Sequence, residues 1–160
     1  MKKLILVRHA KAELLPSNKT DFDRKLTSSG KADAVRMAEL LSKKITCPEV
    51  FISSTAKRAF STCKRFAKAF EIDINLVEEQ PKIYEASAQT LLDIVHDIDD
   101  HFQSAIMFGH NPGFTQLACY LSGDNYIEMP TCGVIVLNFK VEEWCRVDHQ
   151  KGELLEFIKP

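Results

Sequence analysis

Apolar and polar positions along this chain follow two different periods. Leu4 to Val7, Val50 to Ser53 and Ala105 to Phe108 are compact, largely apolar runs of strand length bounded by charged or turn-forming residues, and they read as buried strands. Between them apolar residues recur every three or four positions. Val35, Ala38, Leu41 and Ile45 form one such stripe behind Leu26-Thr27-Ser28-Ser29-Gly30, where Thr27 or Ser28 supplies a helix cap. Ala59, Phe60, Cys63, Phe66, Ala67 and Phe70 form a second, behind a Ser53-Ser54-Thr55 cluster able to cap it. Ser87 is expected to cap a third helix with Leu91, Val95, Ile98 and Phe102 on its buried face, and Pro112 to open a fourth with Leu117, Ala118 and Leu121 inward. A short strand is expected over Ile74 to Val77. Gly133 to Phe139, Trp144 to Asp148 and Leu154 to Ile158 look like strands of a terminal meander. Lys11 to Lys25, with Pro16, Ser17, Asn18, Asp21 and Asp23, has no period and reads as a loop. Strand and helix alternate, so the predicted class is α/β, with a parallel sheet.

Composition narrows the possibilities. A length of 160 residues with 45% hydrophobic content suits one domain over residues 1–160 with a single buried core. The net charge of -1, from 21 basic and 22 acidic side chains, gives no global field to gather nucleic acid or an anionic membrane, so any attraction for phosphate must be local. The apolar runs fall far short of the roughly 20 residues that span a bilayer. Lys2 and Lys3 before Leu4 mimic the start of a signal peptide, but Arg8, His9 and Lys11 interrupt the run, and cytoplasmic residence is expected. Cys47, Cys63, Cys119, Cys132 and Cys145 are odd in number and scattered, with no C-x-x-C pair, and read as reduced thiols.

The strand ends carry the chemistry. Leu4 to Val7 leads into Arg8-His9-Ala10, Val50 to Ser53 leads toward Arg58, and Ala105 to Phe108 into Gly109-His110. If the three runs are parallel neighbours, their carboxyl ends meet on the edge where open α/β sheets bind ligands. Two histidines and two arginines would converge there. An imidazole can attack phosphorus while guanidinium groups neutralise its oxygens, so the set suits phosphoryl transfer without a metal or other cofactor.

The stretches Leu4 to Ala12, Arg24 to Gly30, Ser53 to Thr62 and Gly109-His110-Asn111-Pro112-Gly113, in this order and spacing, resemble the histidine phosphatase superfamily, and within it the SixA-type phosphohistidine phosphatases. Ala10 stands where many members have glycine, a replacement the smaller SixA-like members tolerate. The resemblance implies a three-layer α/β/α sandwich of the phosphoglycerate mutase type with a mostly parallel central sheet. It further implies that His9 is transiently phosphorylated, that Arg8 and Arg58 hold the phosphoryl oxygens, and that His110 completes the pocket. The expected substrate is phosphohistidine on a partner protein, with inorganic phosphate as product.

Attack by His9 needs one ring nitrogen unprotonated, with the other best held by a backbone carbonyl, and neighbouring guanidinium groups would keep the ring neutral. His110, if protonated, would add a donor. A general acid for ester substrates is open among Glu85, Asp21 and Asp23, and Glu85 also reads as an ordinary solvated carboxylate before a helix cap. Lys11 either draws in the anion or lines the loop, and Arg24 is expected to pair with Asp21 or Asp23 rather than to reach the pocket. His96, His101 and His149 read as surface residues, and Lys57, Lys64, Arg65 and Lys68 as a solvated basic face that could dock an acidic phosphoprotein. The alternatives are a phosphatase for small phosphate esters or anhydrides, and a phospho-ligand binding module without turnover. A phosphoglycerate mutase would need insertions this length hardly allows, and a zinc hydrolase would need a third ligand beside His9 and His110.

Overall fold

The computed structural model describes residues 1–15 and 17–160; Pro16, one of the loop-forming residues named above, lies outside them. The regular elements are β1 (Lys2–Arg8), α1 (Ser28–Lys44), β2 (Val50–Ser53), α2 (Lys57–Ala69), β3 (Glu78–Glu79), α3 (Ala88–His96), β4 (Ser104–Gly109), α4 (Gly113–Ser122), β5 (Val134–Phe139) and β6 (Gly152–Ile158). All six strands form one sheet in the order β3-β2-β4-β1-β5-β6. Strands β1 to β4 are parallel, and β5 is reversed, pairing antiparallel with both β1 and β6. The architecture is the α/β sandwich expected.

Strand alternation decides which helices cover which face. Leu4 and Leu6 of β1 point into the cluster with Leu91, Val95, Leu117 and Leu121 of α3 and α4. Ile5 and Val7 point the other way, onto Ala34, Met37 and Leu41 of α1 and Phe66 of α2. Each large side chain buried in these layers contributes roughly 1.5–3 kcal/mol. The caps at Thr27 and Ser87 form as expected: Gly30 N–H donates to Thr27 Oγ1 at 2.9 Å and Thr90 N–H to Ser87 Oγ at 3.1 Å.

Five expectations need correction, the first being that α3 ends at His96, short of the Ile98 and Phe102 placed on its buried face. On α1 the buried stripe is Gly30, Ala34, Met37, Ala38 and Leu41, and Val35 is 44% exposed. Small residues on that stripe let α1 lie close to its neighbours, which outweighs the larger apolar side chain at 35. The segment around Ile74 to Val77 is a 3-10 turn at Ile74–Leu76, with the strand displaced to the polar pair Glu78–Glu79 at the sheet edge. Trp144 to Asp148 contains a 3-10 turn, Trp144–Arg146, rather than a strand. Trp144 is buried there because its indole N–H donates to Phe102 O at 2.9 Å and its backbone N–H to Asp100 Oδ1 at 2.6 Å. Finally, no side chain of Ser53-Ser54-Thr55 caps α2, whose N-cap residue is Ala56.

Candidate active site

Parallel register brings the strand ends together. Arg8 of β1 is paired with Gly109 of β4, and Ser53 of β2 with Phe108. The residues that follow extend the ladder: His9 N–H donates to Gly109 O at 3.0 Å and Ser54 N–H to Phe108 O at 2.9 Å. Ser54, His110 and His9 therefore emerge side by side from adjacent strands, and the two imidazole centroids are 5.2 Å apart, close to the spacing of neighbouring strands. Gly109 is required at this crossing, because a Cβ on it would run into the rings of Phe114 and the side chain of Ile83. On the other flank Cys132 N–H donates to His9 O and Arg8 N–H to Gly133 O, tying β1 to the segment before β5.

His9 is 8% exposed. Its Nδ1 lies 2.8 Å from the Ala10 carbonyl, an acceptor, so Nδ1 carries the proton and Nε2 keeps its lone pair. The Arg58 Nε–H donates to that Nε2 at 3.3 Å. Burial, with the charges of Arg58, Arg8 and Arg24, pushes His9 down to about 4, so the ring is neutral at pH 7. Ala10 N–H donates to Thr62 Oγ1, which in turn donates to Arg58 O, fixing the His9 segment against α2.

His110 is equally buried, and its Nε2 lies 2.8 Å from Ser54 Oγ. Ser54 Oγ already accepts the Ala56 N–H at 3.2 Å. Assigning its hydroxyl proton to His110 Nε2 leaves the imidazole proton on Nδ1. Burial first, then His9 and Arg58, push His110 down to about 3, so the protein holds it neutral rather than as the cation considered above. Two buried side-chain nitrogens lack any hydrogen-bond partner among the described residues: His110 Nδ1 and Arg8 Nε. Both belong to side chains lining one cavity of about 510 Å³.

Arg58 is 6% exposed despite its charge. Its Nη1 donates to Asp21 O at 2.7 Å and its Nη2 to Asp21 Oδ2 at 2.9 Å. Asp21 also receives Arg24 Nη1 at 2.9 Å and the Tyr84 hydroxyl at 2.6 Å. These donors, Tyr84 foremost, hold the Asp21 carboxyl far below the usual carboxylate range. The loop 11–25 thus reaches the cavity through Asp21, and Phe22 meets the Tyr84 ring edge-on at 5.2 Å. Tyr84 is itself edge-on to His110 at 5.5 Å, and its hydroxyl is pushed up to about 12 by the bond to Asp21. Arg8 Nη1 and Asn111 Nδ2 both donate to Met129 O, at 2.9 and 3.0 Å.

Of the residues singled out in the sequence, Arg8, His9, Lys11, Asp21, Arg24, Arg58, Glu85 and His110 all line this cavity. Glu85 is exposed and takes φ 56°, in the left-handed region where a non-glycine side chain is disfavoured. Asp23 stands apart, turned to Lys57 Nζ at 3.2 Å and to the Thr20 hydroxyl. Arg24 both lines the cavity and pairs with Asp21, so the expectation that it only ties the loop down is half right. Ser54 and Tyr84 were missed. Ser54 looked like a helix cap, and the turn Pro81–Ile83 that delivers Tyr84 has no distinctive local pattern. His101 and His149 are exposed; His96 is half-buried, with Nε2 at 2.8 Å from Val147 O. The cysteines are unpaired, and burial pushes the Cys63 and Cys132 thiols up to about 12, which makes them poor nucleophiles. Among the described residues no cluster of three or more His, Cys, Asp or Glu could hold a metal ion, and no helix is long and apolar enough to cross a membrane.

This chain belongs to the histidine phosphatase superfamily (branch 1), whose family model matches residues 4–88. It is 30% identical over 151 residues to an uncharacterised chloroplastic protein of Arabidopsis thaliana, covering 89% of this chain and 69% of that one. A crystal structure from Agrobacterium tumefaciens, named a “putative phosphohistidine phosphatase SixA”, superposes with a TM-score of 0.85 at 28% identity, covering 99% of this chain and 98% of that one. A structure of the protein histidine phosphatase SixA complexed with tungstate gives 0.82 at 17% identity over 98% and 96% of the two chains, a likeness of fold. Family and neighbours together support phosphatase activity.

Proposed function

We propose that this chain is a metal-independent phosphatase that removes the phosphoryl group of phosphohistidine on a partner protein by passing it through His9. One observation carries the reading: the only partnerless buried side-chain nitrogens among the described residues, Arg8 Nε and His110 Nδ1, belong to side chains that line the same cavity as His9, whose Nε2 is unprotonated. Buried donors are normally satisfied. Here the natural partners are the oxygens of a phosphoryl group, and tungstate, an oxyanion of similar shape, is held by the SixA neighbour.

In the first step His9 Nε2 donates its lone pair to phosphorus as the bond from phosphorus to the substrate imidazole nitrogen breaks. The departing imidazole takes a proton from solvent. Arg8, Arg58 and His110 Nδ1–H hold the three equatorial oxygens, where charge is greatest in the transition state, and Lys11 adds a cation at the mouth. Water then attacks the phosphorus of phosphorylated His9, releasing inorganic phosphate and restoring the neutral ring.

The cavity position of Glu85 favours a second reading, hydrolysis of small phosphate esters or anhydrides by the same covalent step. Of the three carboxylates weighed, Asp21 is ionised throughout and Asp23 faces away, so Glu85 is the group able to protonate an alkoxide.

The test is to incubate the protein with a phosphohistidine peptide and with p-nitrophenyl phosphate, adding EDTA or vanadate in parallel. Hydrolysis that chelation spares and vanadate blocks is expected, with acid-labile labelling of the protein. His9→Ala should abolish both turnover and label, and turnover retained in that variant would overturn the mechanism.

A further inference from the structure

Beside the catalytic cavity, between α1 and α2, lies a second groove of about 550 Å³. Lys25, Lys31, Lys57, Lys64 and Arg65 line it, and no carboxylate does. In a chain whose charges nearly cancel, five cations around one groove is a local concentration that chance mixing would dilute. Lys57 is paired with Asp23, but Lys25, Lys31 and Lys64 form no ion pair among the described residues. The floor is apolar, made by buried Leu26 and half-buried Phe60, with Lys64 Nζ 5.2 Å from the Phe60 ring centre. Cavity and groove share their dividing wall. Arg24 faces the cavity and Lys25 the groove; Arg58 faces the cavity and Lys57 the groove. Successive Cα atoms are about 3.8 Å apart, so at Arg24-Lys25 and Lys57-Arg58 the groove begins where the cavity ends, and a protein with its phosphoryl group in the cavity has neighbouring surface beside the groove.

We propose that this groove docks an acidic segment, rich in Asp and Glu, that flanks the phosphohistidine of the protein substrate. The proposal rests on the phosphatase reading above and adds the class of protein preferred. Free carboxylates complement Lys25, Lys31 and Lys64, while the apolar floor accepts one side chain of the segment. Charge of this kind raises the encounter rate and selects among partners. Each exposed pair is worth about a twofold gain in affinity, so three or four pairs give about tenfold.

Two synthetic peptides with the same phosphohistidine core, one flanked by Asp and Glu and one by Ser and Gly, provide the test. At low salt kcat/KM should be about tenfold higher for the acidic peptide, and the advantage should vanish as added NaCl screens exposed charge. Lys31→Glu combined with Lys64→Glu should erase the preference while leaving hydrolysis of the neutral peptide unchanged; Lys31→Gln with Lys64→Gln, which keeps Lys25 and Arg65, serves if the charge reversals do not fold and should cut the preference about fourfold. Equal kcat/KM for the two peptides in the unaltered protein, or a preference that the double variant leaves undiminished, overturns the proposal. Fluorescence anisotropy of the labelled, unphosphorylated acidic peptide reads docking apart from chemistry. If neither peptide is hydrolysed but the acidic one binds and loses binding in the double variant, the phosphatase reading fails and the docking surface stands. Binding of the acidic peptide no tighter than that of the Ser and Gly peptide, or weaker than that of single-stranded RNA or phosphatidylserine vesicles, overturns the assignment to an acidic protein segment.

Discussion

Ser54→Ala tests whether a residue that never touches the substrate sets the chemistry of one that does. In the structure the hydroxyl takes the Ala56 N–H and lies 2.8 Å from His110 Nε2, and under the assignment above it donates there and holds the imidazole proton on Nδ1. Alanine removes both contacts and leaves a buried donor and a buried acceptor unsatisfied, a loss of about 1–3 kcal/mol in folding stability. The catalytic effect has a separate origin. A single buried hydrogen bond is worth about 0.5–1.5 kcal/mol net, so the bias toward the Nδ1–H tautomer weakens by that amount. With about 1.4 kcal/mol per factor of ten, kcat/KM should fall roughly twofold to twelvefold. Urea titration reads the first effect and steady-state hydrolysis of a phosphohistidine peptide the second. The decisive comparison is made in a His110→Ala background, where Ser54→Ala should cost stability but no further activity, because the imidazole it oriented is gone. Independent, multiplying losses would refute the coupling. So would nitrogen NMR shifts showing the Nε2–H tautomer at His110 in the unaltered protein.

Stability should depend on acid in a defined window. His9 and His110 are neutral in the folded protein down to about 4 and about 3, whereas the unfolded chain protonates near 6.5, so the folded state binds fewer protons and its stability, complete above 6.5, declines as pH falls toward 4. At about 1.4 kcal/mol per unit, His9 alone accounts for on the order of 3 kcal/mol; urea midpoints from pH 7.5 to 4 should fall accordingly and flatten in a His9→Gln, His110→Gln double variant, and an equal slope in that variant would refute the assignment. Glu85→Gln should slow hydrolysis of an alkyl phosphate such as phosphoserine, whose alkoxide must be protonated as it leaves, more than phosphohistidine hydrolysis, while Asp21→Asn should slow both by the same factor; the reverse pattern would transfer the acid role to Asp21. A Cβ on Gly30 would collide with the Lys11 carbonyl, the oxygen that accepts the Thr27 N–H at 3.0 Å, so Gly30→Ala should cost about 1–3 kcal/mol in a urea titration. An unchanged midpoint would mean that the segment after His9 shifts without penalty.

How much of this was legible in the sequence depended on whether the cause was local. The runs that became β1, β2 and β4 were visible because a buried parallel strand needs only a short apolar stretch and an abrupt polar end. Thr27 and Ser87 were visible as caps because capping is settled within four residues. Glu78–Glu79 is a polar edge pair with no alternation to detect, and Trp144 is buried by hydrogen bonds to residues some forty positions earlier, so its apolar neighbourhood imitated a strand. Ser54 shows the limit most clearly. Position and residue type both favoured a cap, and its actual partner, His110, lies 56 residues away. Tyr84 and Asp21 belong to the same case: their contact spans 63 residues and unites a turn and a loop with no shared pattern.

The arrangement around Arg58 explains how one set of donors can serve both the resting nucleophile and the transferring group under the proposed mechanism. A guanidinium has five N–H donors, and three are engaged here, one by His9 Nε2 and two by Asp21. The bond to His9 exists only while Nε2 has its lone pair. Once that lone pair begins to bind phosphorus, the Arg58 Nε–H loses its acceptor at the moment an equatorial oxygen arrives beside it. The donor is transferred from nucleophile to phosphoryl group, so the interaction strengthens in the transition state rather than in the bound substrate, which is the condition for it to accelerate the reaction. Asp21 keeps the guanidinium from following the nucleophile or turning into solvent. It also offsets part of the positive charge that would otherwise retain the phosphate product. Removal of the Asp21 charge therefore acts on two stages with opposite sign, weakening the alignment of Arg58 while tightening the hold on phosphate, and neither stage distinguishes an ester from a phosphoramidate.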